Sequence, residues 1–252
     1  EALRLLGVTN VPKRQSKVLV AKELLKCHRA LRYHSKESLL DLPLLSKKRL
    51  ELAQQCVDLL RTSCFLSEPN LFLVLFLKSL RWSLKYGICK YSPGKFAMYG
   101  AILSKRDIKK GSMLGEVALA LSDRLGSKET RARTYMPVFG YLYHWTHAMR
   151  SCCSPISYAH ELAMESGDTQ TAILSALMLD TITWCSSSAP LRTLARRLET
   201  HCALCLRYKH HLMLKILEKF AGLLSRLGSQ DQFAWLASVD VSDLEIGVSE
   251  QP

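Results

Sequence analysis

A chain of 252 residues is long enough to bury a sizeable core, as one elongated domain or as two small ones. Helix formers dominate and Gly and Pro are sparse, which fits an all-α protein. The formal charge of +13 can draw nucleic acid or anionic lipid to a surface, but the cations are spread over several segments. Residues 1–50 alone hold 12 Lys/Arg against 4 Asp/Glu, without forming an uninterrupted basic tail. Solvated helix faces account for such a distribution. Nine cysteines is an odd number, and Cys56, Cys64, Cys185, Cys202 and Cys205 fall in apolar helical stretches. A disulfide framework does not suit this length and spacing. The reading is reduced, mostly buried thiols in a cytosolic protein.

The opening residues EALRLLGV, Glu1–Val8, look like the end of a helix. The chain therefore reads as a piece of something longer, or as an incomplete gene model. Lys17 to His34 is amphipathic, with Val18, Ala21, Leu25, His28 and Leu31 near helical spacing. Pro12 precedes it and Ser16 is its expected N-cap. The segment SLLDLPLLS reads as a loop, and Ser46 as the cap of a helix from Lys47 to Phe65.

Next comes PNLFLVLFLKSLRWSLKYG, with seven apolar residues in a row from Leu71 to Leu77. A membrane span needs about 20 mainly apolar residues. Lys78, Arg81 and Lys85 break this run early. Pro69 suits a first helical turn and Gly87 a C-terminal cap. A helix apolar on every side is a buried helix, so this one is expected at the centre of a soluble stack.

Ser92, Pro93 and Gly94 give turn signals before a small-residue helix from about Phe96. Asp107 can cap Ile108 to Leu125, closed by Gly126. Ser127, Glu129 and Thr130 start a long aromatic helix, which Pro137 should kink or truly begin. Ser154-Pro155 opens a helix closed by Gly167. Asp168 or Thr169 caps the next, and Pro190 opens PLRTLARRLETHCALCLRYK. A last helix runs from about His210 to Leu227, closed by Gly228. The division is a helical domain over 1–228 and a tail over 229–252. From roughly Asp240 to Pro252 the tail is acidic and weakly patterned, which reads as a disordered segment or a gene-model artefact.

Gly126 and Gly167 lie 41 residues apart, and the same offset aligns Ala118 with Ala159 and Leu121 with Leu162. A unit of helix, Gly turn and helix is the logic of helical-repeat arrays. FAMYGAIL, with Tyr99 and Gly100, resembles the first helix of a tetratricopeptide-like unit. The pitch exceeds the roughly 34 residues of that repeat. The expected fold is thus all-α, a tetratricopeptide-like helical-repeat array.

The chemistry is sparse. There is no GxxxxGK[ST] and no GxGxxG. YSPGK has a Gly-Lys pair without the glycine spacing and reads as the turn that starts a helix. No kinase catalytic loop or GxSxG elbow is visible. His201, Cys202, Cys205, His210 and His211 form the best metal-like cluster, but they lack a second CxxC. Core thiols and surface histidines explain them better. Cys152-Cys153 has only Arg150 nearby to lower a thiol pKa. His144 and His147 sit among packing aromatics. No catalytic, cofactor-binding or metal residue is expected. Trp82, Tyr99, Tyr135, Tyr141 and Trp145 are the candidate groove or packing aromatics.

Several segments, in order, resemble one family. They are EALRLLGV, LLDLPLL at Leu39–Leu45, PNLFLVLFLKSLRWSLKYG, FAMYGAIL, LGEVALAL, RLGSKETRARTY, the His144-Trp145 pair and ELAMESGDTQTA. The resemblance is to the tetratricopeptide-like region of very large signalling proteins. In these a kinase-like domain precedes an ATPase of the AAA or signal-transduction type, and GAF and histidine-kinase outputs follow the helical region. The stretch ICKYSPGK departs from the family with two extra basic residues. The resemblance implies a non-catalytic, cytoplasmic scaffold or regulatory arm. Its partners would be its own ATPase and kinase domains or another protein, with no membrane span. The alternative from charge alone is a basic, nucleic-acid-binding helical repeat.

Overall fold

The computed structural model describes residues 17–61, 64, 68–125 and 128–227. Ser16, Phe65, Gly126, Ser127, Gly228, the segment 1–8 and the tail 229–252 lie outside them. Among the described residues there are eleven α-helices and no strand, only a single parallel bridge between Leu44 and Ile88. The chain divides after His147 into two compact units.

In the first unit the helices are α1 (Lys17–Leu31), α2 (Lys36–Leu40), α3 (Lys48–Leu59), α4 (Pro69–Tyr86), α5 (Pro93–Ser104), α6 (Ile108–Leu125) and α7 (Lys128–Pro137). α4 is the inner helix that its composition implies. Pro69 sits in its first turn, and Phe72, Val74, Leu75, Phe76, Leu77 and Leu80 are buried. α1, α3 and α5 pack against it. Its C-cap is Gly87 at φ 107°, where a Cβ would meet Pro43 O at 2.5 Å. Only glycine fits that approach. It lets Ile88 N donate to Pro43 O (2.8 Å) and Leu45 N to Ile88 O (2.8 Å), pinning the LPLL segment.

Three local expectations need correction. α2 runs through Leu40, into the start of the stretch read as a loop, because Ser35 Oγ accepts from Ser38 N at 3.2 Å and caps one short helix. α3 starts at Lys48 after Lys47, without a side-chain cap from Ser46. α5 begins at Pro93, three residues before Phe96, because proline's fixed φ suits a first turn.

α5 and α6 cross at glycines. A Cβ on Gly100 would lie 2.8 Å from Gly111 O, and one on Gly111 would lie 2.8 Å from Gly100 O. Asp107 Oδ1 accepts from Lys110 N at 3.0 Å and caps α6 as expected. α7 packs on α5. Pro137 does interrupt the aromatic helix. α7 ends there, a π-helical turn spans Val138–Leu142, and a 3₁₀ turn spans Tyr143–Trp145.

The second unit opens with a 3₁₀ turn at Met149–Cys152, followed by α8 (Cys153–Glu165), α9 (Thr169–Cys185), α10 (Leu191–Arg207) and α11 (His211–Ser225). Gly167 turns the chain at φ 73°. Asp168 caps α9, accepting from Thr171 N (3.2 Å) and Thr171 Oγ1 (2.7 Å). α8 pairs with α9, α9 with α10 and α10 with α11. Leu194, Leu198, Cys202 and Cys205 recur at helical spacing on α10. They bury against Ile173, Leu214, Leu217 and Leu224.

The 41-residue register aligns burial: Ala118, Leu121, Ala159 and Leu162 are all core residues. It does not align pairing. α6 packs chiefly on the helix before it, α8 on the helix after it.

Candidate functional site

The first unit encloses a lysine. Lys95 stands in the first turn of α5 and is 3% exposed. Its Nζ donates to Gln54 Oε1 at 2.8 Å. Gln54 belongs to α3 and is fully buried. The same oxygen accepts from Ser79 Oγ and Ser83 Oγ of α4, each at 3.4 Å. Ser83 Oγ in turn meets Ser92 Oγ at 2.8 Å, and Ser92 Oγ accepts from Cys89 N at 3.0 Å. Three elements therefore meet on one polar bed inside an apolar unit. The other end of the amide, Gln54 Nε2, is buried without a hydrogen-bond partner.

The charge on Lys95 is poorly supported. Burial pushes its ammonium down to about 8; Asp58 and Cys89 pull the other way, and Arg133 adds to the fall. Tyr91 lies beneath it, with Nζ 5.8 Å from the ring centroid. A small cavity of about 30 Å³ adjoins it, lined by Asp58, Phe72, Phe76, Lys95, Met98 and Arg133 among others. Arg133 donates to Asp58 across its wall.

The second unit encloses a carboxylate. Asp180, fully buried on α9, accepts from Arg197 Nε (3.0 Å) and Nη2 (2.5 Å) through Oδ1. Its Oδ2 meets His201 Nδ1 at 2.6 Å. Arg197 Nη2 also donates to Thr183 Oγ1 at 3.1 Å. The His160 ring lies 5.9 Å from that of His201, and its Nδ1 bonds to Ala172 O at 2.8 Å. An aspartate holding a histidine is half of a nucleophile-activating relay. Here the second half of the carboxylate is committed to a guanidinium.

Two of the metal-like histidines go to separate partners. His201 is held by Asp180, and His210 Nε2 lies 3.1 Å from Thr169 Oγ1. Burial pushes the Cys202 and Cys205 thiols up to about 12. Among the described residues no group of three His, Cys, Asp or Glu could hold a metal ion. All nine cysteines are free thiols. Burial raises Cys152 to about 11, away from reactivity.

The candidate aromatics disperse. Trp82 packs on the cluster of Ala53, Val57 and Leu75. Tyr99 is buried, and its phenol is pushed up to about 12 by burial. Tyr135 starts a ladder down one face: Phe139 at 5.4 Å, then Tyr143 at 5.0 Å and His147 stacked at 3.8 Å. Burial also raises the Tyr141 phenol. Trp145 is 54% exposed, its indole N–H donating to Tyr141 O at 3.0 Å.

Sequence reasoning assigned Lys95 only to the YSPGK turn and passed over Gln54 and Asp180. The signals were present: Ser79 and Ser83 one turn apart on a helix expected to be buried, and one aspartate inside TAILSALMLDTITW. Polar residues at buried positions need partners.

Charge divides with the units. Residues 1–147 carry 26 Lys/Arg against 11 Asp/Glu, and residues 148–252 carry 9 against 11. Among the described residues no helix is long and apolar enough to cross a membrane. No family model matches the chain, and neither a curated protein nor a solved structure is significantly similar to it. The class is therefore fixed by the fold alone: an all-α protein of paired helices.

Proposed function

We propose that this chain is a non-catalytic scaffold and regulatory segment of a multidomain signal-transduction ATPase or kinase, built as a tetratricopeptide-like array. The observation that carries the reading is the run of two helical hairpins in the second unit. α8–α9 and α10–α11 begin at Cys153 and Leu191, 38 residues apart, and each helix packs on the next. Such an array buries each pair only against its neighbours and presents the remaining faces to other proteins. α11 presents one: Leu212, Ile216 and Leu223 are exposed along a single stripe. The ordered family resemblance supplies the signalling context.

The test uses the ATPase and kinase domains encoded in the same reading frame, expressed separately. Calorimetry should detect their saturable association with this chain. Leu223→Asp, which places a charge on the stripe but outside the core, should weaken it about tenfold or more. No association with any of these domains contradicts the reading.

One observation favours a second reading. The whole basic excess falls in the first unit, and Lys105, Arg106, Lys109 and Lys110 are exposed together around the α5–α6 turn. A nucleic-acid-binding unit would bind RNA or DNA with a steep loss on adding salt. Absence of binding at low salt removes it.

A further inference from the structure

We propose that Lys95 is a carbamylation site: its amine adds carbon dioxide, and Gln54 clamps the product through both ends of its amide. The geometry is already laid out. Lys95 Nζ donates to Gln54 Oε1, while Gln54 Nε2 is a buried donor with nothing to donate to. A carbamate keeps one N–H on the lysine nitrogen and gains two oxygens, one of them on the same side as that N–H. The N–H goes on donating to Oε1, and that oxygen accepts from Nε2. The pair closes a ring of two parallel hydrogen bonds, so one modification satisfies the orphaned donor.

The site suits this electrophile. The adjoining cavity of about 30 Å³ has room for one molecule of a few atoms, and Lys95 is part of its wall. Phe72, Phe76 and Met98 make that wall apolar, which suits an uncharged reactant. The charged and titratable groups around the amine are Asp58, Cys89, Tyr91 and Arg133. Burial keeps a substantial fraction of the amine neutral near pH 8, as addition requires.

The step balances without a redox partner. The ammonium first loses a proton to solvent. The nitrogen lone pair attacks carbon, an N–C bond forms, and one C=O π pair moves onto oxygen. The nitrogen then sheds its second proton. One ammonium and one carbon dioxide thus give one carbamate and two protons, and the charge at Lys95 changes from +1 to −1.

The experiment uses the full chain, equilibrated at fixed ¹³CO₂ pressure between pH 7 and 9. The adduct is trapped by O-alkylation and mapped by peptide mass, with ¹³C NMR on the untrapped protein. The expected result is a carbamate on Lys95 that grows as pH rises through about 8. It should exceed any signal on exposed Lys22 or Lys48 and disappear in CO₂-free buffer. Lys95→Arg should abolish the NMR signal. Gln54→Met, which keeps the lysine but removes both ends of the clamp, should lower occupancy about tenfold. Wild-type protein with no adduct at Lys95, or no more than on the exposed lysines, overturns the proposal whatever the variants do. Undiminished occupancy in a folded Gln54→Met overturns the clamp.

Discussion

Lys95 and Asp180 are both enclosed, and their surroundings treat them differently. Asp180 receives a guanidinium and an imidazole, so its charge is matched where it lies. Asp180→Asn leaves Arg197 and His201 without their anion. Arg197 is 29% exposed at its side chain, which softens the penalty. The expected loss is about 2–3 kcal/mol in urea unfolding. A change below about 0.5 kcal/mol contradicts the account. Lys95 instead accepts a lowered ammonium pKa. The unfolded chain holds the lysine proton up to the ordinary value of 10.5, whereas the folded chain loses it from about 8. Between those values the unfolded state binds more protons, so this site makes stability rise with pH. Below that window the burden of burying the charge is constant. Lys95→Met should abolish the alkaline rise and leave the slope at lower pH unchanged. An unaltered slope between pH 8 and 10.5 would show that Lys95 is not the titrating group.

Glu23 gives the same slope, stability rising with pH, but through a charge that supports the fold rather than burdens it. Burial alone would raise its pKa, but hydrogen bonds from Lys26 (2.7 Å) and Arg81 (2.6 Å), with their charges, outweigh it and hold the carboxyl below its ordinary range. A lowered carboxylate pKa stabilises the fold above the unfolded value. That contribution is lost as pH falls through the folded one. Glu23→Gln should therefore flatten the acid limb of the stability profile, and an acid limb of unchanged steepness would contradict it.

At the scale of helices, much was legible in the sequence. Pro69 and Gly87 mark both ends of α4, and its apolar run marks it as the inner helix, because these signals are local. Asp107 and Asp168 are caps for the same reason. What stayed hidden depends on contacts distant in sequence. Nothing near Gly111 says that it faces Gly100 across a helix crossing. Nothing near Lys95 says that Gln54, 41 residues earlier, receives it. Gly111→Ala should separate α5 from α6, since its Cβ would meet backbone oxygen and Ser104 Cβ at 2.8 Å. A loss of about 1–3 kcal/mol is expected, despite alanine's better helix propensity. Stabilisation by the usual glycine-to-alanine gain would mean that the crossing is looser than described. Gly222 is the matching control, with open space around its Cβ. Gly222→Ala should stabilise α11 by up to about 1 kcal/mol.

Over the whole molecule, the all-helical class follows from composition and helix-end signals, and the structure bears it out. The division after His147 was not legible, because the aromatic helix read from the sequence runs past it to Met149. Pro137 signals the break in helical geometry, yet no residue there announces the end of a compact unit. Of the expected 41-residue repeat, the described residues share burial but not pairing. Ala118 with Ala159 and Leu121 with Leu162 share burial, while their helices choose different neighbours. Pairing depends on side-chain volumes across the interface, such as the close crossing at Gly100 and Gly111. The proposed role as an arm between catalytic domains rests on that helical organisation together with the order of the family-like segments. It is tested most directly by sequencing the transcript on both sides of this coding region. The account predicts a phosphate-binding loop of an ATPase upstream and GAF or histidine-kinase sequence downstream, in one open frame. A start codon just before Glu1 and a stop just after Pro252 would contradict it.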